Sequence, residues 1–148
     1  MVIYTQVMVL AKTTEYRKDL EASGLKQTKS RIAVLDILQN EDRPLDALEL
    51  CTKIQERGID IDQATVYRIL DIFRQKGLIH RFEFQEGKFR YELTGYDHHH
   101  LICDACGIIE DIADCDIDRF EDEILKKKGF RVKRHSLEFY GICKSCLR

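Results

Sequence analysis

The chain has 148 residues, 34% charged and 44% hydrophobic, with a net charge of -2, which excludes collagen-like, low-complexity and disordered chains. No apolar run approaches the roughly 20 residues that cross a bilayer, and the stretch Val2 to Ala11 follows no basic residue, so neither a membrane partner nor export is expected and the location reads as cytoplasmic. Charge is evenly spread, with twelve basic and twelve acidic residues in 1–77 and twelve and fourteen in 78–148, so binding to DNA would need a shaped surface rather than a bulk polycation.

Four helical patterns come first. Thr13 to Ser23 is polar and opens on hydroxyls, and Thr28 to Gln39 carries Ile32, Leu35 and Leu38, with Val34 and Ile37 beside them, and so is expected to be largely buried. Asp46 to Arg57 carries a stripe of Ala47, Leu50, Cys51 and Ile54 and stops at Gly58, which makes Cys51 a small core residue. Asp62 is a natural N-cap for the fourth pattern, whose Val66, Ile69, Leu70 and Phe73 recur at i, i+3, i+4 and i+7. That stripe leaves Gln63, Ala64, Tyr67 and Arg68 facing outward.

The period then changes. Leu78 to Phe84, a turn at Glu86-Gly87-Lys88, and Phe89 to Leu93 read as a β-hairpin. Helices followed by a hairpin are the order of a winged helix-turn-helix, and an exposed Tyr67 and Arg68 early in the last helix suit a recognition helix in a major groove. Residues 1–94 are therefore expected to form an N-terminal extension and a winged-helix DNA-binding domain.

Gly95 to Asp97 reads as a hinge, and residues 95–148 as a second unit of α/β type. Its first strand carries Asp97, His98, His99 and His100, then Leu101-Ile102-Cys103. Side chains alternate across a strand, so His98 and His100 face one way and Asp97 and His99 the other, enough to feed two metal sites. A strand at Gly107 to Ile112, a helix at Asp116 to Lys128 burying Ile117, Phe120 and Ile124, and a last strand from Phe130 to Ile142 complete it. The alternation of that last strand slips near Arg134 and His135, as at a bulge. About fifty residues make a marginal core, which metal and dimerisation would remedy.

Of the six cysteines, four form two pairs, Cys103-Asp-Ala-Cys106 and Cys143-Lys-Ser-Cys146. A two-residue spacer lets both sulfurs of a pair grip one ion, and two pairs complete a tetrahedral thiolate shell, so a structural zinc is expected at Cys103, Cys106, Cys143 and Cys146. Gly107 and Gly141 flank the pairs and would ease tight turns there. Cys115 receives no role. A zinc deaminase would need His-x-Glu and a proline before its cysteine pair, and the chain has neither, so an enzyme is not expected.

Several segments together resemble the ferric uptake regulator (Fur) family of metal-responsive repressors. They are Thr28-Lys29-Ser30-Arg31, Ala64-Thr65-Val66-Tyr67-Arg68, Phe89 to Thr94, His98 to Gly107, His135-Ser136-Leu137 and Tyr140 to Cys146. The match spans about residues 13 to 148. The resemblance implies an α+β chain: an N-terminal winged helix-turn-helix domain and a C-terminal α/β dimerisation domain. It implies a homodimer that represses metal-homeostasis genes from palindromic operator DNA. It places a regulatory divalent metal at the hinge on Glu92, His98, His100 and Asp111, with Glu110 as the alternative acid and His80 as a further candidate. A dimerisation-domain site would use Asp97, His99, Asp118 and His135. DNA contacts would come from Lys26, Gln63, Tyr67 and Arg68. Mixed imidazole and carboxylate donors suit Zn(II) or Fe(II), and also Mn(II) or Ni(II). Peroxide sensing, with iron at the hinge oxidising a ligand histidine, is the alternative on the same fold. The chain departs from the family pattern at Arg43, where many members place a His, at Thr94, where zinc sensors place a Cys, and in the exchanged order of Asp97 and His99.

Overall fold

A computed structural model describes residues 15–94, 98–112 and 116–147. Asp97, Cys115 and the first fourteen residues lie outside them. The chain separates into two compact units, residues 1–95 and 96–148. Among the described residues no helix is long and apolar enough to cross a membrane.

The first unit contains α1 (15–22), α2 (Lys29–Asn40), β1 (Leu45–Asp46), α3 (Ala47–Glu56), α4 (Gln63–Gln75), β2 (Ile79–Glu83) and β3 (Phe89–Leu93). Side chains cap the three longer helices where the sequence supplies them. Thr28 accepts from the Arg31 amide, Asp62 accepts from the Thr65 amide, and Asp46 and Glu49 form a reciprocal capping box on α3. The apolar stripes of α2, α3 and α4 meet in one core in which Val34, Leu50, Ile54, Val66 and Phe73 are fully buried. Cys51 belongs to it, its thiol 3.8 Å from the Ile61 carbonyl. β2 and β3 form the hairpin, and β1 adds a third strand in the order β1-β3-β2. The two-residue β1 was invisible as a strand, because two residues cannot display a period.

β1 ends where α3 begins, and ionic bonds fasten the wing to this corner. The Arg90 guanidinium, buried, binds Glu86 through two parallel bonds of 2.7 and 3.0 Å and also reaches the Pro44 carbonyl at 3.2 Å and Glu49 at 3.3 Å. Arg43 binds Glu49 at 2.6 Å, and Lys88 binds Asp46 at 2.7 Å. Arg43 is thus committed to Glu49. Arg90 holds the Glu86 carboxyl below its ordinary value. Burial works against ionising Asp46 and Glu49, yet Lys88 and Arg43 respectively, with the capping amides, outweigh it and lower both.

The second unit contains β4 (His99–Cys103), β5 (Ile109–Ile112), α5 (Ile117–Lys128) and β6 (Glu138–Gly141), with sheet order β5-β4-β6. β4 and β5 are antiparallel neighbours, whereas β6 returns after α5 to lie parallel to β4. Gly129 caps α5 in the left-handed region at φ 62°, a conformation that glycine adopts at little cost. Two expectations fail here. β6 begins at Glu138, not Phe130, because residues 129–137 form no regular structure, and the broken alternation near Arg134 marks that irregular stretch rather than a bulge. No residue of α5 is buried, and Phe120 is 61% exposed, because a single chain offers its apolar stripe nothing to pack on.

The depressed carboxyls give the first unit an acid-sensitive corner. Their folded values lie below the unfolded ones, so their stabilisation is complete above about pH 4.5 and is lost as pH falls through the folded values. Glu49→Ala, which removes the box and both arginine partners, is expected to cost about 2 kcal/mol at pH 7 and progressively less below pH 4. Urea unfolding of wild type and variant across that range checks it.

Candidate metal centres

The cysteine centre follows from strand pairing. In the parallel register of β4 and β6, Cys103 lies beside Gly141, so the ends of both strands, each followed by a cysteine knuckle, meet at one edge. The Asp104 amide donates to the Gly141 carbonyl at 2.8 Å and ties the knuckles together. Each knuckle closes with the same five-residue turn: the Gly107 amide donates to the Cys103 carbonyl, and the Leu147 amide donates to the Cys143 carbonyl, both at 2.9 Å. Gly107 sits at φ 73°, where glycine is needed, whereas Gly141 lies in β6 without a positive φ, so only the first flanking glycine serves a turn.

The four sulfurs lie within 4.8 Å of one another, and Cys106 and Cys143 are 3.7 Å apart. A tetrahedron of zinc–sulfur bonds of about 2.3 Å has edges of about 3.8 Å, so this set fits zinc. The Cys143 amide donates to the Cys103 sulfur at 3.3 Å. This amide and that of Cys106 lower the Cys103 thiol to about 6, while hydrogen bonds to Cys143 and Cys106 push the Cys146 thiol up to about 12. One thiolate forms readily and the last resists, which is how crowded thiols behave until a cation joins them.

A second donor set occupies another part of the same sheet. His98 and His100 have ring centroids 5.0 Å apart. Two imidazoles on one tetrahedral ion, with metal–nitrogen bonds of about 2.0–2.1 Å, place their centroids about 5 Å apart. Asp111 pairs directly with His100 across β4 and β5, and its Oδ1 lies 3.8 Å from His100 Nε2 and 4.0 Å from His98 Nε2. Glu110 pairs with Leu101 and so projects from the opposite face, which selects Asp111 as the acid on this face. His100 is 1% exposed. In the first unit Glu92 lies in β3 directly opposite His80 of β2, so the two share a face of that hairpin; His80 itself is exposed and edge-on to Phe82.

His99 points to the other side of β4, with its ring 5.1 Å from that of His135. His135 Nδ1 lies 2.8 Å from Oε1 of Glu121, an acid outside the expected set, one turn after Asp118 on α5. Asp118 is exposed, and Asp97 lies outside the described residues. Glu121 was missed because its partner follows α5 through an irregular stretch whose course no periodicity reveals. On the first unit Gln63, Tyr67 and Arg68 are exposed along α4, with Tyr67 52% exposed, and Lys26 is exposed before α2.

Residues 22–140 match the profile of the Ferric uptake regulator family. The ferric uptake regulation protein of Neisseria meningitidis is 36% identical over 129 residues, which cover 86% of this chain and 90% of that protein. The crystal structure of the Vibrio cholerae ferric uptake regulator is similar at a TM-score of 0.74 and 37% identity, over 85% of this chain and 98% of that one. The Helicobacter pylori ferric uptake regulator, described as having three functional metal binding sites, is similar at a TM-score of 0.78 and 27% identity, over 93% of each chain.

The cysteine centre carries its own prediction. Cys143→Ser is expected to lose zinc and, with it, the amide protection of β4–β6, since structural zinc contributes about 10–16 kcal/mol of apparent binding energy to folding. Zinc content and hydrogen exchange check it, and a zinc-free variant with a protected sheet contradicts it.

Proposed function

Because this chain belongs to the ferric uptake regulator family, whose members are transcription regulators and not enzymes, we propose that it is a metal-dependent repressor that closes as a homodimer onto palindromic operator DNA. The genes it controls are then those of metal homeostasis, iron uptake among them. The observation that carries this reading is the imidazole and carboxylate face of His98, His100 and Asp111, which lies apart from the cysteine centre and suits an exchangeable divalent ion. The thiolate set binds zinc tightly enough to serve as structure, so the second set is free to sense.

In this reading Glu92 joins His98, His100 and Asp111 around an effector ion, Zn(II) or Fe(II), with Mn(II) and Ni(II) as further candidates and His80 as an added ligand. Glu92 belongs to the wing strand and the histidines to the dimerisation sheet, so one ion would couple the two units. Asp97, His99, Asp118 and His135 supply the acids and imidazoles for a further site within the dimerisation domain. Residues 1–94 read DNA, and 95–148 dimerise. The unburied α5, with Phe120 61% exposed and Leu125 41% exposed, supports a partner chain over that helix.

Two winged helices on one duplex must meet half-sites one turn apart, roughly 34–36 Å. An ion that binds the closed arrangement about 100-fold better than the open one shifts the balance by roughly 2.7 kcal/mol. It also cancels carboxylate charge beside an anionic partner, which matters for a chain of net charge -2. Gln63, Tyr67 and Arg68 would read the major groove, and Lys26 would contact the groove or backbone.

His100→Ala and Glu92→Ala are each expected to abolish the metal-stimulated part of operator binding while zinc stays at one per chain and the dimer persists. Arg68→Ala is expected to cost about 1–3 kcal/mol of affinity for the operator. Fluorescence anisotropy with operator DNA, with and without added metal, measures both. Metal-stimulated binding retained in His100→Ala contradicts the sensing role, and dissociation of that variant contradicts the division of labour.

A further inference from the structure

On the side of β4 away from His98 and His100, one histidine pair has a partner that its expected ligand set does not contain. His99 is buried, and its ring centroid lies 5.1 Å from that of His135, the separation of two imidazoles sharing one ion. His135 Nδ1 lies 2.8 Å from Glu121 Oε1, and both side chains are about 30% exposed, at 31% and 30%. An ionised carboxylate can only accept a hydrogen bond, so a neutral imidazole held against Glu121 carries its proton on Nδ1 and presents the lone pair of Nε2. A metal-binding histidine characteristically gives its second nitrogen to a carboxylate in this way, which fixes both tautomer and ring plane.

We propose that Glu121 is the positioning residue of a metal site built on His99 and His135: it binds no ion itself and holds His135 with Nε2 available to the ion. The proposal rests on the dimerisation-domain site of the preceding subsection and adds to it a residue outside its expected ligands. Geometry places Glu121 in this role because it sits one helical turn after Asp118, on the part of α5 that His135 reaches. The other acids of α5 are differently engaged or oriented: Glu123 pairs with Lys127 at 2.9 Å, and Asp118 and Asp122 are exposed.

The test uses the full-length protein with its cysteine zinc in place, titrated with Zn(II) against a competing chelator. The binding step that His99→Ala removes identifies the site. Glu121→Ala is expected to weaken that step by about 10–100-fold. In long-range proton–nitrogen spectra recorded before zinc addition, wild-type His135 is expected as the Nδ1–H tautomer, and Glu121→Ala is expected to move it toward Nε2–H. Glu121→Gln, whose amide oxygen accepts the same N–H, is expected to restore the affinity and the tautomer. Glu123→Ala, which removes an acid from the same helix, is expected to do neither harm. Wild-type affinity and tautomer in Glu121→Ala overturn the proposal. Equal loss in Glu121→Ala and Glu121→Gln makes Glu121 a direct ligand and overturns the positioning role. A wild-type titration with no step sensitive to His99→Ala overturns the site itself, and the proposal with it.

Discussion

The parallel pairing of β4 with β6 is the constraint on which the second unit depends. It brings Cys103 beside Gly141 and so sets two knuckles, 36 residues apart in the chain, at the same end of one sheet. An antiparallel return would have left the pairs at opposite ends, unable to share an ion. Parallel neighbours require a crossover, and α5 supplies it. The unit has little else to hold it: among its described residues the buried apolar side chains are Ile102, Cys103 and Ile109. A zinc on the four cysteines would take the place of part of the core that so few residues cannot build.

The same strand separates two further kinds of chemistry by its pleat alone. His98 and His100 turn toward Asp111, while His99 turns toward His135. Adjacent residues thus feed separate donor sets without any change of backbone. In the first unit the corresponding economy is ionic. Asp46 caps α3, binds Lys88 of the wing and shares the capping box with Glu49, which in turn holds Arg43 and Arg90. Helix α4 and the β2–β3 hairpin are thereby parts of one framework: the apolar core fixes α4, and the charged corner fixes the hairpin.

Much of this was legible in the residues. The stripes of α2, α3 and α4, the Asp62 cap and the hairpin each leave a local pattern that needs no tertiary information. The cysteine spacing was equally plain, and strict alternation divided the three histidines correctly between the faces. What escaped depends on partners distant in sequence. β1 is too short to show a period and exists because β3 lies beside it. The apolar stripe of α5 is plain in the sequence, but its burial is not, because periodicity reveals a face and not what covers it. Glu121 leaves no signal for a similar reason: it stands three positions after Asp118, and only the irregular path of 129–137 determines which of them His135 meets.

One small sheet carries two donor sets of different chemistry, four thiols at one end and imidazoles with a carboxylate elsewhere. Native mass spectrometry of the purified protein before and after mild chelation, followed by addition of Zn(II), Fe(II), Mn(II) and Ni(II) at buffered concentrations, separates a structural from an exchangeable ion. The expected result is a dimer that keeps one zinc per chain through chelation and then regains further ions, the ion that refills first at its buffered level being the effector. A dimer that keeps its zinc but takes up nothing more, or a chain that surrenders every ion without losing its fold, would contradict it.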